Sequence, residues 1–168
     1  MQQPRDQRVG VFVDVQNLYY SAKHLYSSKL NFKEILKQAV GDRKLIRAIA
    51  YAVKAQMPEE EYFFKALGEI GYEVKLKELQ IYGTFKKADW DVGLAIDAIE
   101  LGHKLDTVVL ISGDGDYVPM VEHLKRAIGC RVEVMAFGKS TNRKLIEVAD
   151  SFFDLDSSSK FLIKGSKR

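Results

Sequence analysis

Short apolar runs alternate with longer amphipathic segments along most of this chain. A run that is apolar at nearly every position is typical of a strand buried on both faces, whereas apolar residues spaced three and four apart predict a helix. Strands are predicted at residues 9–13, 45–53, 107–111 and 131–137. Helices are predicted at residues 17–26, 31–40, 89–101, 117–128 and 142–149. This alternation favours an α/β fold with a mainly parallel sheet and helices on both faces.

Capping residues mark where two of the helices begin and end. Asn31 is followed three residues later by Glu34, which is a capping box that opens a helix. Pro58 precedes three glutamates and predicts a helix that starts there, because proline and acids suit the first turn. That helix is expected to end near Gly71.

The remaining segments are less regular. Residues 72–82 alternate between apolar and polar side chains and predict an edge strand. Residues 85–87, Phe-Lys-Lys, predict a basic turn, and residues 152–153 predict a short last strand. Residues 157–168 are polar and basic and are expected to form a mobile tail behind one domain, residues 1–156.

The composition is that of a globular protein from a reducing compartment. The chain has 168 residues, enough for a core without disulfides, and its one cysteine excludes an intramolecular disulfide. No apolar run reaches the roughly 18 residues of a membrane span, and the polar start is unlike a secretory signal. We therefore expect a cytoplasmic protein with no membrane partner. The net charge of +3 is weak evidence for nucleic acid.

Aspartates follow two of the predicted buried strands directly. Asp14 comes after the first strand, and Asp114 and Asp116 come after the strand at 107–111. Ligands of open α/β sheets bind outside the carboxyl ends of the strands, where the strand order reverses. If these two strands are neighbours, their acids converge.

A third chain segment brings acids to the same edge. Asp89 and Asp91 open the helix that precedes the strand at 107–111, so they lie at the carboxyl edge of the sheet. Asp97 is six residues beyond Asp91, turned by about 240° and about 9 Å further along the helix. We therefore expect Asp97 to support the site or the fold and not to share the site.

Clustered carboxylates repel one another unless a cation joins them, and hard oxygen ligands select Mg²⁺ or Mn²⁺. Such ions activate phosphate esters and water. The spacing of the three histidines, His24, His103 and His123, does not fit a zinc site. A structural explanation stays open, because an aspartate after a strand often caps a helix and Asp-Gly is common in turns.

Other aspartate-based or phosphate-binding sites fit less well. A phosphoaspartate hydrolase has a second acid two places after the first, where this chain has Gln16. A receiver domain has an acid pair ahead of its phosphorylated aspartate, and none precedes Asp14. An EF-hand series from Asp114 fails at Tyr117. Neither a P-loop nor a GxGxxG motif follows the first strand.

Four segments together resemble the NYN domain, and more narrowly the LabA-like (DUF88) branch of the PIN-like nuclease superfamily. They are VGVFVDVQNLYY at 9–20, KKADWDVGLAIDAI at 86–99, VVLISGDGDYVPMVEHLKRAIGCRVEV at 108–134 and STNRKLIEVADSFFDL at 140–155. The resemblance implies a three-layer, Rossmann-like PIN fold and a ribonuclease that depends on Mg²⁺ or Mn²⁺, with RNA as partner. It also leaves a homodimer open, because homodimers are common among PIN-like proteins.

Carried over by motif position, the resemblance implies a set of site residues. The catalytic residues would be Asp14, Asn17, Asp91, Asp114 and Asp116. All of these except Asn17 would be metal ligands, and Asp89, Asp97 and Ser112 would support them. Candidate RNA contacts at the same edge are Lys86, Lys87, Ser140, Thr141 and Asn142, the last three also being helix-capping candidates. Tyr19, Tyr20 and Trp90 are candidates for stacking on bases, although helical aromatics are usually core.

Two other classes of function compete with a nuclease. One is a non-catalytic RNA-binding or regulatory module that retains the metal site. The presence of an acid at every motif position argues against this alternative, because a site without function usually loses at least one. The other is a sugar or nucleotide transferase that uses Asp-Gly-Asp to bind metal, for which the chain has no Gly-rich loop.

Overall fold

The computed structural model of this protein describes residues 5–83 and 85–163. Its centre is a six-stranded sheet in which every neighbouring pair is parallel. The strands are β1 (Arg8–Asp14), β3 (Lys44–Lys54), β4 (Glu73–Glu78), β7 (Thr107–Ile111), β8 (Arg131–Ala136) and β9 (Ser151–Asp154). They lie in the order β4-β3-β1-β7-β8-β9. The predicted mainly parallel sheet is confirmed.

Helices cover both faces of the sheet. They are α1 (Val15–Tyr26), α2 (Phe32–Val40), α3 (Glu60–Ile70), α4 (Asp91–Gly102), α5 (Val118–His123) and α6 (Arg143–Val148). The first three pack on one face and the last three on the other, each over its own apolar core. This is the three-layer α/β architecture expected from the sequence. None of the helices among the described residues is long and apolar enough to cross a bilayer.

Local signals placed most element ends within two residues. The side chain of Asn31 accepts a hydrogen bond from the N–H of Glu34 and caps α2. Gly71 ends α3, but that helix begins at Glu60 and not at Pro58, which lies in the preceding turn. The predicted helix at 117–128 is observed as a 3₁₀ turn, α5 and a π-helical turn that ends at Gly129.

The prediction for residues 72–87 was partly wrong. The single strand predicted at 72–82 is two strands: β4 forms the edge of the main sheet, and β5 (Gln80–Tyr82) leaves it. The expected basic turn at 85–87 is instead β6 (Phe85–Lys87), which pairs antiparallel with β5. Apolar and polar residues alternate in both β4 and β5. The alternation therefore did not reveal that β5 leaves the main sheet and pairs with β6.

The expected mobile tail is also wrong for residues 157–163. The side chain of Phe161 is fully buried, and its carbonyl accepts a hydrogen bond of 2.8 Å from the N–H of Asn31. β10 (Leu162–Ile163) then pairs antiparallel with β2 (Lys29–Leu30). The folded unit therefore extends past residue 156, and residues 164–168 lie outside the described part of the chain.

Candidate metal centre

Three aspartates from separate chain segments meet at the carboxyl edge of β1 and β7. One carboxylate oxygen from each of Asp14, Asp91 and Asp114 lies within 4.8 Å of the other two. β1 and β7 are direct neighbours, and the chain leaves β1 on one side for β3 and β4 before it crosses to β7. The two strands are thus neighbours, as the convergence of their acids required. The acids lie at the point where the strand order reverses.

The carboxylate of Asp14 is held by three hydrogen bonds. Its Oδ2 accepts from the hydroxyl of Tyr117 at 3.0 Å and from that of Ser112 at 3.4 Å, and its Oδ1 accepts from the N–H of Asn17 at 3.2 Å. Asp14 is thus both the cap of α1 and a member of the cluster. Burial raises the pKa of Asp14 above its ordinary value, and the charge of Asp114 adds to this effect, while the hydrogen bonds oppose it.

The Ser112–Asp116 loop is held by side chains around it. The amide oxygen of Asn17 accepts from the N–H of Gly113 at 2.9 Å. Inside the loop, Ser112 accepts from the N–H of Asp114 at 3.2 Å, and Asp114 accepts from the N–H of Asp116 at 2.9 Å. Asn17 and Ser112 therefore fix where the carboxylate of Asp114 lies relative to Asp14.

The two glycines of this loop are required by close packing against the segment before α6. A Cβ on Gly115 would lie 2.5 Å from Nδ2 of Asn142, and one on Gly113 would lie 2.9 Å from Oγ1 of Thr141. The N–H of Asn142 also donates to the carbonyl of Gly113 at 2.9 Å. A side chain at either glycine would push the loop, and Asp114 with it, away from Asp14.

Asp91 reaches the cluster because the start of α4 is tied to the sheet. The indole Nε1 of Trp90 donates to the carbonyl of Ala52 at 2.8 Å, and the side chain of Asp89 accepts from the N–H of Asp91 at 3.3 Å. Burial and then the charge of Asp114 raise the pKa of Asp91 to about 7, and a hydrogen bond with Asp116 contributes. Asp116 therefore adjoins Asp91 and completes the acidic edge.

Asp97 lies away from the cluster, as its helical position predicted. Its Oδ2 accepts from the hydroxyl of Tyr51 at 2.8 Å and from Nζ of Lys75 at 2.6 Å. The ring of Tyr51 packs edge-on against Trp90, with 5.3 Å between centroids. Asp97 thus joins α4 to β3 and β4 and supports the helix that carries Asp91.

The sequence profile of the NYN domain matches residues 8–156. This chain belongs to the NYN domain family. It is 26% identical to the low amplitude and bright protein LabA of Synechococcus elongatus, over 95% of this chain and 90% of that protein, which supports the LabA-like branch. A crystal structure of a protein of unknown function from Vibrio parahaemolyticus superposes with a TM-score of 0.88 at 34% identity, over 97% of this chain and all of the other.

The acids of this NYN domain fit a divalent cation. The three converging groups are carboxylates, the hard oxygen ligands that Mg²⁺ and Mn²⁺ take in proteins. The raised pKa values of Asp14 and Asp91 show that the charges are unfavourable without a compensating cation. Asp14, Asp91 and Asp114 are therefore the residues that would hold the ion, with Asp116 beside them.

The candidate RNA-contact residues lie partly beside the acidic loop and partly in β6. Asn142 caps α6, and the hydroxyls of Ser140 and Thr141 donate to Ser21 and to the carbonyl of Phe137. Close packing against Gly113 and Gly115 places all three beside the loop, and their contact with RNA stays a prediction. Lys86 and Lys87 lie in β6, but their side chains fall outside the described part of the chain.

Tyr117 was missed as a site residue. Its position predicts the start of a helix, which is correct, but its hydrogen-bond partner, Asp14, lies at the end of a distant strand. One signal was available: a buried tyrosine hydroxyl requires a hydrogen-bond partner, and Tyr117 follows an acidic loop directly.

Proposed function

We propose that this NYN domain is a nuclease that depends on Mg²⁺ or Mn²⁺ and hydrolyses RNA. The observation that carries the proposal is the convergence of Asp14, Asp91 and Asp114 at the strand-order reversal of the sheet. The resemblance to the NYN domain supports RNA as the substrate, because ribonuclease activity is what that family implies.

Each side chain has a role in the proposed reaction. A bound divalent ion would polarise the scissile phosphate and lower the pKa of a water molecule. Asp14, Asp91 and Asp114 would hold that ion. Hydrogen bonds from Tyr117, Ser112 and the N–H of Asn17 keep the carboxylate of Asp14 in place, and the N–H of Asp116 does so for Asp114. Asp116, next to Asp91, accepts a hydrogen bond from the attacking water and orients it. The amide NH₂ of Asn17, whose oxygen is occupied by Gly113, donates to a phosphate oxygen.

The proposed reaction is an in-line attack of water on an RNA phosphodiester. The water oxygen bonds to phosphorus in line with the bond from phosphorus to the 3′ oxygen, which breaks. The leaving oxygen takes up a proton, so the products carry a 5′-phosphate and a 3′-hydroxyl.

Cleavage assays with matched variants test the proposal. Single-stranded RNA, single-stranded DNA and both duplexes are incubated with the protein in Mg²⁺, in Mn²⁺ or in EDTA. We expect RNA cleavage that EDTA abolishes and that Asp14→Asn eliminates. Asp42→Asn is the matched control, because Asp42 is exposed in the turn before β3, at the opposite edge of the sheet.

Three results would overturn the proposal. Cleavage that persists in a clean Asp14→Asn preparation would show that the acids are not the catalytic centre. Tight RNA binding without cleavage in either metal would favour a non-catalytic RNA-binding module. Cleavage of DNA alone would retain the metal-dependent chemistry and reject RNA as the substrate.

A further inference from the structure

Two adjacent tyrosines on α1 are left in solvent beside the metal centre. The side chains of Tyr19 and Tyr20 are 49% and 58% exposed, whereas Leu18 and Ala22 on the same helix are fully buried. Their rings meet edge to face, with 5.7 Å between centroids. Nζ of Lys23 lies 6.0 Å from the centroid of Tyr19. We call Tyr19, Tyr20 and Lys23 the tyrosine platform.

The platform lies close to the acids along α1. The helix begins directly after Asp14, so Tyr19 and Tyr20 are about 7.5 and 9 Å further along its axis, at about 1.5 Å per residue. Asn17 and Ser21 face the loops after β7 and β8, as their bonds to Gly113 and Ser140 show. Tyr20 is turned by only about 60° from Asn17 and borders that row on its solvent side. Tyr19 is turned by about 160° from Asn17, so it joins the platform through its ring contact with Tyr20.

The charge of α1 suits a polyanion. The segment Val15–Tyr26 contains no aspartate or glutamate and carries Lys23 and His24, both exposed. At the rise of roughly 3.4 Å per nucleotide in a stacked strand, this offset along α1 corresponds to about two to three nucleotides from a phosphate at the acids. Exposed aromatic rings next to a lysine are the surface on which unpaired bases stack.

The third aromatic candidate, Trp90, makes contacts within the fold. The indole of Trp90 donates to the carbonyl of Ala52, packs against Tyr51 and is covered by Nζ of Lys77 at 4.7 Å from its centroid. Its polar atom is therefore bonded to the sheet, and its ring packs against Tyr51 and is only partly exposed. Tyr19 and Tyr20 contact each other and leave half of their surface to solvent.

We propose that the tyrosine platform is a subsite that stacks unpaired bases of a single-stranded nucleic acid next to the metal centre. This inference rests on the proposed function and narrows its substrate to unpaired strands. Bases in a duplex are stacked on each other, so the platform contributes to single-strand binding and not to duplex binding.

Equilibrium binding in EDTA tests the platform apart from cleavage. Fluorescence anisotropy measures the affinity for a labelled single-stranded RNA and for its duplex. We expect Tyr19→Ala and Tyr20→Ala each to weaken single-strand binding roughly tenfold, the usual effect of removing one stacking ring, and to leave duplex binding unchanged. Tyr20→Phe keeps the ring and is expected to keep most of the affinity.

Ile46→Ala is the matched control, because Ile46 is 45% exposed near the start of β3, at the opposite edge of the sheet. Two results would overturn the stacking role even where the wild type cleaves RNA. One is unchanged single-strand affinity in both alanine variants, and the other is an equal loss of that affinity in Ile46→Ala. Wild-type protein that binds neither strand nor duplex would overturn it too, and would point to a protein partner for the two rings. Platform-dependent binding without cleavage in Mg²⁺ or Mn²⁺ would support the platform and reject the nuclease.

Discussion

The phenolic hydroxyl of Tyr117 donates a hydrogen bond of 3.0 Å to Oδ2 of Asp14, a residue 103 positions away in the chain. Both residues are almost fully buried. Burial, and next the charge of Asp14, raise the pKa of Tyr117 far above its ordinary value, so the hydroxyl stays protonated and remains a donor. Tyr117 therefore fixes the orientation of the acid that ends β1.

Removing this hydroxyl tests its role in positioning. We expect Tyr117→Phe to lower Mn²⁺ affinity about 10- to 100-fold, as is typical when a partner of a metal ligand is lost. Calorimetric titration with Mn²⁺ measures this. Tyr72→Phe is the control, because the buried hydroxyl of Tyr72 donates at 2.9 Å to the carbonyl of Phe32 within the other core. Each substitution removes one hydrogen bond and is expected to lower the free energy of unfolding by about 1 kcal/mol. Equal Mn²⁺ affinity in the two would contradict the positioning role.

Gly115→Ala tests the packing of the acidic loop. The new Cβ would lie 2.5 Å from Nδ2 and 2.6 Å from Cγ of Asn142, so the loop or the cap of α6 must move. We expect a loss of about 1–3 kcal/mol in the free energy of unfolding, together with weaker metal binding. Urea denaturation measures the first and Mn²⁺ titration the second.

Gly68→Ala provides the contrast for this substitution. Gly68 is exposed within α3, and a Cβ there would meet nothing within 4 Å. We expect this variant to be more stable by about 0.5–1 kcal/mol, because alanine is the better helix former. A similar loss of stability in both variants would mean that the contact with Asn142 is not the cause.

Asp91→Asn and Asp97→Asn are expected to act in opposite directions on the metal-free protein. Asp91 has a pKa raised to about 7, so its charge is unfavourable above pH 7, and removing it stabilises the fold by about 1 kcal/mol after solvent screening. Asp97 accepts from Tyr51 and Lys75, so Asp97→Asn destabilises the fold. Urea denaturation at pH 8 in EDTA measures both.

Metal titration completes this comparison. Asp91→Asn is expected to lose Mn²⁺ binding, and folded Asp97→Asn to retain it. A loss of binding in Asp97→Asn with no change in stability would make Asp97 a ligand and would contradict its assignment as a structural residue.

The stability of the protein is expected to fall in acid through Glu133. Burial alone raises the pKa of Glu133, but hydrogen bonds from Arg43 and Arg131 outweigh it and hold the pKa below the ordinary 4.5. A carboxyl whose pKa is lower in the folded state stabilises that state above its unfolded pKa. This stabilisation is lost as the pH falls below 4.5 and through the folded pKa.

Glu133→Gln measures that contribution. Arg43 donates hydrogen bonds of 2.9 Å to both carboxylate oxygens of Glu133, and the side chain of Arg43 is only 5% exposed. Losing one partner of such a buried pair costs about 3–5 kcal/mol. We expect urea denaturation to show this difference at pH 7 and a smaller one as the pH falls below 4.5. A difference that is constant with pH would exclude the ion pair as its source.

The sequence by itself determined the central strands, the helices and the edge of the sheet that would carry the acids. Apolar runs and capping residues act over a few positions, so the strand at 107–111 and the cap at Asn31 were correct from local pattern alone. Because the carboxyl ends of parallel strands share one edge, placing Asp14, Asp91 and Asp114 there required only element order.

The tertiary structure decided which groups touch. The order β3-β1-β7 brings Asp14 against Tyr117, and the departure of β5 from the main sheet and the burial of Phe161 both depend on partners far away in the chain. Such contacts arise from the packing of the whole chain, and no short window of sequence contains both partners. Packing also separated the exposed Tyr19 and Tyr20 from the occupied Trp90, three aromatic residues that the sequence alone treated alike.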